Sequence, residues 1–259
     1  MQYNTLHLIK NPCYRSGRKI TPKGIVVHST GANNPNLKRY VGPDDGVLGY
    51  NRYNNHWNRS DMRKCVHAFI GYDKNKVVRC YNTLPWDHRS WGCGGGGRGS
   101  YNNSHIQFET CEDDLSNEPY FNDAFEMAVD LCAYLCQEYD ISIDSIVSHK
   151  EAHTRGYASN HGDPHDWLRE YHWTMDIFRQ KVAQKIGGND GNTSIGAVVV
   201  TYSGDDGLNI RSAPEIEDNI VRVVREGEEL TAVEKVGGWY KLNDGNYVTA
   251  NSRYVSLRR

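Results

Sequence analysis

A break in composition constrains this 259-residue chain most. Residues 187–194, Gly-Gly-Asn-Asp-Gly-Asn-Thr-Ser, cannot bury apolar surface, so they predict a flexible linker between two separately folded parts, 1–186 and 195–259. The two parts differ in period. Before the break, the runs 24–27, 68–72, 77–81 and 106–108 are short, apolar and bounded by turn residues, as strands are. Residues 122–139 instead carry Phe125, Val129, Cys132 and Cys136 at helical spacing, and 175–186 repeats that period with Ile177, Phe178, Val182 and Ile186. The isoleucine-rich run 141–147 reads as one more strand. The larger part is therefore expected to be α/β, a mixed central sheet flanked by helices. After the break, 197–202, 208–210, 220–224, 229–233, 239–242 and 246–249 alternate apolar and polar residues between Gly and Asn turns, the pattern of a small all-β barrel.

Charge narrows the choice of partner. A formal net charge of -2 leaves no basic excess to attract nucleic acid or an anionic membrane, and neither is expected as a partner. Seventeen Tyr and six Trp in a nearly neutral chain suit a polysaccharide or peptide ligand better. The seven cysteines, at 13, 65, 80, 93, 111, 132 and 136, are odd in number and form no CxxC pair, which predicts mostly buried free thiols in a reducing compartment. The first twelve residues lack a basic region, an apolar run and a small-residue cleavage site, so synthesis in the cytoplasm without Sec export is expected.

The chemistry concentrates in residues 148–166, which hold His149, His153, His161 and His165 together with Glu151, Asp163 and Asp166. Imidazole and carboxylate are good zinc ligands, and a hydrolytic zinc takes three side chains and keeps its fourth position open. His28 ends the apolar run 24–27 ahead of Ser29-Thr30-Gly31, a rigid place to mount a ligand, although a lone histidine there is more often structural. Two geometries then compete. His149 and His153, four apart with Glu151 between them, superficially resemble a zinc-protease helix, but in HExxH the glutamate directly follows the first histidine, and here Lys150 does. The other geometry takes His28, His149 from the end of a strand over 141–148, and Asp163 from the loop ahead of Pro164. It leaves His161 to face the open position as a donor to a developing oxyanion, with His153 and His165 outside the ligand set. Glu109 is the candidate general base: on an alternating strand, Ile106 and Phe108 point one way and Gln107 and Glu109 the other. A solvated strand glutamate is the ordinary alternative.

These residues carry a family resemblance. Residues 24–30 (Gly-Ile-Val-Val-His-Ser-Thr), 103–109 (Asn-Ser-His-Ile-Gln-Phe-Glu) and the interval from His149 to Asp163 resemble the three signature stretches of type 2 N-acetylmuramoyl-L-alanine amidases, zinc enzymes related to peptidoglycan recognition proteins and phage lysozyme-amidases. Residues 66–70, 84–86 and 90–94 are similar as well. The resemblance implies zinc ligands at His28, His149 and Asp163, a catalytic acidic residue at Glu109, and His161 in the position that stabilises the transition state. The chain departs from the family at His161, where many relatives have lysine, and at Gly92, where they often have histidine. The interval from His149 to Asp163 is longer than usual, which keeps His153 open as a substitute for His149. Residues 207–214 (Gly-Leu-Asn-Ile-Arg-Ser-Ala-Pro) and 238–242 (Gly-Trp-Tyr-Lys-Leu) resemble bacterial SH3-like cell-wall-binding domains. The two likenesses together imply a hydrolase of bacterial peptidoglycan that cuts the amide between N-acetylmuramic acid and L-alanine, of the phage endolysin kind, made in the host cytoplasm and acting on the wall. The rival readings are a peptidoglycan-binding protein without catalysis and a zinc peptidase that cuts the stem peptide.

Overall fold

Six strands form the sheet of the first unit: β1 (Asn4–Thr5), β2 (Gly24–Ser29), β3 (Ala68–Tyr72), β4 (Val78–Asn82), β5 (His105–Thr110) and β6 (Ile146–Ser148), in the order β1-β4-β3-β5-β2-β6. β2 runs parallel to both β5 and β6, β5 parallel to β3, and only β3 and β4 are antiparallel. The sheet is mixed, as expected. Every residue of β2 is buried, because both faces of a central parallel strand are covered.

The helices are α1 (Pro12–Ser16), α2 (Glu118–Tyr139), α3 (His149–Thr154), α4 (His165–Glu170) and α5 (Met175–Ile186). α2 starts where the Asn117 side chain accepts the Tyr120 N–H and ends where Asp140 turns left-handed. Its stripe, including Phe121, Phe125, Val129 and Cys132, packs against Ile25, Val27, Ile106 and Phe108 of the sheet, and α5 adds Phe178 and Val182 to the same core. The opposite face of β2 meets a smaller cluster in which Val26 lies with Cys93, Val147 and Ala152. The seven cysteines are free and buried.

One local expectation fails. The run 141–147 is not a continuous strand: Ile143–Ser145 is a single 3₁₀ turn, and only Ile146–Ser148 pairs with β2. Ser148 then caps α3, its Oγ accepting the Glu151 N–H at 3.0 Å while the Glu151 carboxylate accepts the Ser148 N–H at 2.9 Å. Arg179 of α5 grips both Glu151 oxygens at 3.0 and 3.1 Å. His149 is therefore the first residue of a helix and not the last of a strand.

The structure, a computed structural model, describes residues 1–187 and 195–258, and the chain divides into two units, Met1–Ile186 and Gly187–Arg259. Apart from Gly187, the linker expected over 187–194 lies outside the described residues. The second unit is a seven-stranded antiparallel sheet: β7 (Gly196–Val200), β8 (Leu208–Arg211), β9 (Ile220–Val224), β10 (Glu229–Val236), β11 (Trp239–Leu242), β12 (Tyr247–Thr249) and β13 (Val255–Arg258), in the order β13-β7-β10-β11-β12-β8-β9. It encloses its own core of Val198, Val200, Ile210, Val224, Leu230, Tyr240, Leu242 and Val248. A register shift between Ala232 and Glu234 breaks the ladder of β10 with β11, the kind of irregularity by which a strand bends. Among the described residues, no helix is long and apolar enough to cross a membrane.

Phe125 is the test of the first core. It has no exposed surface, and its ring lies 4.5 Å from that of Phe121 and 5.1 Å from that of Trp167. Phe125→Ala is expected to lower the unfolding free energy of this unit by about 3–5 kcal/mol, read by urea denaturation followed through tryptophan fluorescence. A loss below about 1 kcal/mol would show that these contacts do not carry the core.

Candidate metal centre

The parallel register of β2 and β5 sets the site. It pairs Val26 with Gln107 and His28 with Glu109. Since side chains alternate along strands, these four share the face opposite Ile25, Val27, Ile106 and Phe108. α3 then delivers His149 from its first turn, and the segment ahead of α4 delivers Asp163, whose carbonyl receives the Lys150 N–H at 3.4 Å.

Three donor atoms converge. His28 Nδ1 lies 3.0 Å from Asp163 Oδ2 and 3.1 Å from His149 Nδ1, and His149 Nδ1 lies 3.3 Å from Asp163 Oδ1. Both imidazoles are buried, and Asp163 keeps 17 % of its side chain exposed. A tetrahedral first-row divalent ion with bonds of about 2.0–2.2 Å separates its ligand atoms by about 3.3–3.5 Å, so this triangle fits with a few tenths of an ångström of adjustment. The donor chemistry fits as well. His28 Nε2 sits 3.1 Å from Gln107 Oε1, an acceptor, so the ring proton belongs on Nε2 and the Nδ1 lone pair points at the carboxylate. Lone pairs facing one another at this distance call for a cation between them.

The electrostatics agree. Burial opposes ionisation of Asp163, but hydrogen bonds and charge from His149 and His28 hold its carboxyl far below the usual range. Burial would lower His28, yet its bond to Asp163 and the charge of that group outweigh this and raise it. Burial lowers His149, and the neighbouring His28 and His161 add to the effect, which keeps the imidazole in its ligand form. A metal would replace the proton that His28 and Asp163 otherwise share.

Glu109 stands beside this triangle. Its Oε2 is sealed from solvent without a hydrogen-bond partner, and burial pushes its carboxyl up to about 7. A carboxylate poised near neutrality suits proton transfer. His161 is exposed, with its ring 4.7 Å from that of His149, and lines an open cleft of about 260 Å³ with Ser29, Thr30, Gly31, Asp163 and Trp167. His153 does not join the cluster: it is exposed and its Nδ1 meets the Ala158 carbonyl at 3.2 Å. His165 instead bonds Ser148 Oγ at 2.8 Å. Two neighbours were given no role from the sequence. Glu112, which accepts from Ser29 Oγ at 2.6 Å in the same cleft, had no signal, whereas strand alternation had already put Gln107 on the face of Glu109.

The buried carboxyl has a consequence for stability. Raised from 4.5 to about 7, Glu109 binds its proton more tightly folded than unfolded, so it makes stability fall as pH rises between those values. In metal-free protein, Glu109→Gln is expected to remove that part of the slope, a gain over wild type of about 3 kcal/mol at pH 8 relative to pH 4. Chemical denaturation of both proteins in chelator at the two pH values measures it, and parallel pH profiles would contradict it.

Comparison with known proteins places the chain. Residues 17–166 match the N-acetylmuramoyl-L-alanine amidase family, and residues 206–256 match the bacterial SH3 domain. A bifunctional autolysin of Staphylococcus aureus is 27% identical over an alignment of 182 residues that covers 66% of this chain but only 12% of that protein. The catalytic domain of PlyG, solved in solution, covers 75% of this chain and 99% of its own at 25% identity and a TM-score of 0.51. The Staphylococcus aureus hydrolase AmiA in complex with its ligand shares the fold, at 22% identity, 73% and 86% coverage and a TM-score of 0.55. The family match spans more than half of the 259 residues, and the chain belongs to the N-acetylmuramoyl-L-alanine amidase family, followed by a bacterial SH3 domain.

Proposed function

We propose that this chain is a zinc-dependent hydrolase of bacterial peptidoglycan that cuts the amide between the lactyl group of N-acetylmuramic acid and L-alanine. The observation that carries this reading is the convergence of His28, His149 and Asp163 beside the near-neutral carboxyl of Glu109, in a chain of this family. The three are its metal ligands. Zinc, when bound there, supplies a Lewis acid that polarises the scissile carbonyl and makes water nucleophilic near neutral pH.

The protein's own groups move the protons. Glu109 accepts one from the attacking water and returns it to the amide nitrogen as the C–N bond breaks, so that the products are a carboxylic acid and the free amine of L-alanine. Burial raises its affinity for protons, and that suits a group that acts first as base and then as acid. His161, at the mouth of the cleft, donates a ring N–H to the oxygen that gains charge as water adds.

The units divide the task in this reading. Residues 1–186 hydrolyse, 187–194 link, and 195–259 hold the protein on its insoluble polymer, raising the local concentration of the catalytic unit. An amidase-family unit joined to a bacterial SH3 domain supports a lytic enzyme of the endolysin kind that acts on the cell wall.

Purified protein incubated with bacterial walls is expected to release new amino termini of L-alanine, to stop when zinc is chelated and to recover when zinc is restored. Glu109→Gln should still bind zinc yet be slower by about 10²-fold or more. Amino termini of other residues would indicate a stem-peptide peptidase, the absence of any would indicate a binding protein, and undiminished lysis by Glu109→Gln would reject the role of that residue.

A further inference from the structure

We infer that Gln107 is a positioning residue for the metal ligand His28, and that residue 92 is glycine because the Gln107 side chain needs its space. The inference rests on the metal reading above and concerns what holds His28 in ligand form. Gln107 is completely buried on β5. Its Oε1 faces His28 Nε2 at 3.1 Å, and its Nε2 donates to Asn102 Oδ1 at 2.8 Å. Asn102, also buried, accepts on that same oxygen the backbone N–H groups of Gly92 at 3.1 Å and Cys93 at 3.2 Å, and its Nδ2 donates to the Gly94 carbonyl at 3.1 Å.

The direction of this relay is fixed from the backbone. A side-chain amide can present either end to a neighbour, so its orientation is set by partners with only one role. Two backbone N–H groups can only donate, so the Asn102 atom between them is the oxygen. The Gln107 atom that meets this oxygen must then be the NH₂ group, which turns Gln107 Oε1 to His28. His28 Nε2 therefore carries the proton, and Nδ1 presents its lone pair to Asp163 and His149. Without Gln107 the ring is free to take the other tautomer, with an Nδ1–H that bonds Asp163 and obstructs a cation. Partners of this kind, which orient a ligating histidine, typically change metal affinity by about 10–100-fold.

Gly92 supplies the room. A methyl group built on it would collide with Gln107 Oε1 and stand 2.9 Å from Val66 Cγ1. Gly92 is not among the glycines with positive φ, so its backbone conformation does not demand glycine. Space for Gln107, and for Val66 beside it, does.

The test uses the full chain and reads zinc affinity by chelator competition, together with the ¹H shift of the His28 Nε2–H in zinc-loaded protein. Gln107→Met is expected to weaken zinc about 10–100-fold and to move the His28 Nε2–H signal upfield as its hydrogen bond to the amide oxygen is lost. Gly92→Ala deletes no polar group and should do the same by pushing the amide aside, so it serves if Gln107→Met does not fold. In a Gln107→Ala background, Gly92→Ala should cost no further affinity. Wild-type zinc affinity in Gln107→Met, or a full additional loss from Gly92→Ala in that background, would overturn the inference while leaving the metal reading intact. A wild-type protein that binds no zinc would instead overturn the metal reading, and this inference with it.

Discussion

The register of β2 against β5 is the constraint on which the rest of the first unit depends. With Val26 opposite Gln107 and His28 opposite Glu109, the two strands offer one apolar face to α2 and one chemical face to the metal centre. A slip of β2 by a single residue would turn His28 into the core and put Val27 at the site. The apolar face guards against that slip. Burial of Ile25, Val27, Ile106 and Phe108 against the aromatic stripe of α2 is worth on the order of 1.5–3 kcal/mol per side chain.

The chemical face is costly to bury, and its groups offset one another. Asp163 keeps its charge because two imidazoles face it, burial together with His28 and His161 lowers the proton affinity of His149, and burial drives Glu109 towards neutrality with one oxygen unpartnered. A divalent cation would resolve most of this tension, since it takes the converging lone pairs and its charge favours ionised carboxylates. Glu109 stands beside the ligands but outside their triangle.

Much of this was legible in the sequence because it follows period and local chemistry. The alternating strands, the amphipathic helix ending at Tyr139 and the seven short strands of the SH3 unit, β13 excepted, could be read from spacing alone. The histidine cluster marked the site, and strand alternation put Glu109 and Gln107 on one face. The choice between His149 and His153 could not be read locally. Both lie on α3, and only the distant positions of His28 and Asp163 distinguish the buried one from the one turned to Ala158. The isoleucines at 141, 143 and 146 suggested a strand, while Ser148 and Glu151 formed a capping box that moved His149 into a helix. Gln107 could be placed on a face, but its bonds to His28 and Asn102 are contacts over 79 and 5 residues that no spacing rule anticipates.

The proposed function turns on a cation held by the end of β2, the first turn of α3 and the segment ahead of α4. Crystals grown with zinc and measured on both sides of the zinc absorption edge test it most directly. One anomalous peak within about 2.0–2.2 Å of His28 Nδ1, His149 Nδ1 and an Asp163 oxygen is the predicted result. A peak on His153 instead, or no peak at this triangle at saturating zinc, would contradict it.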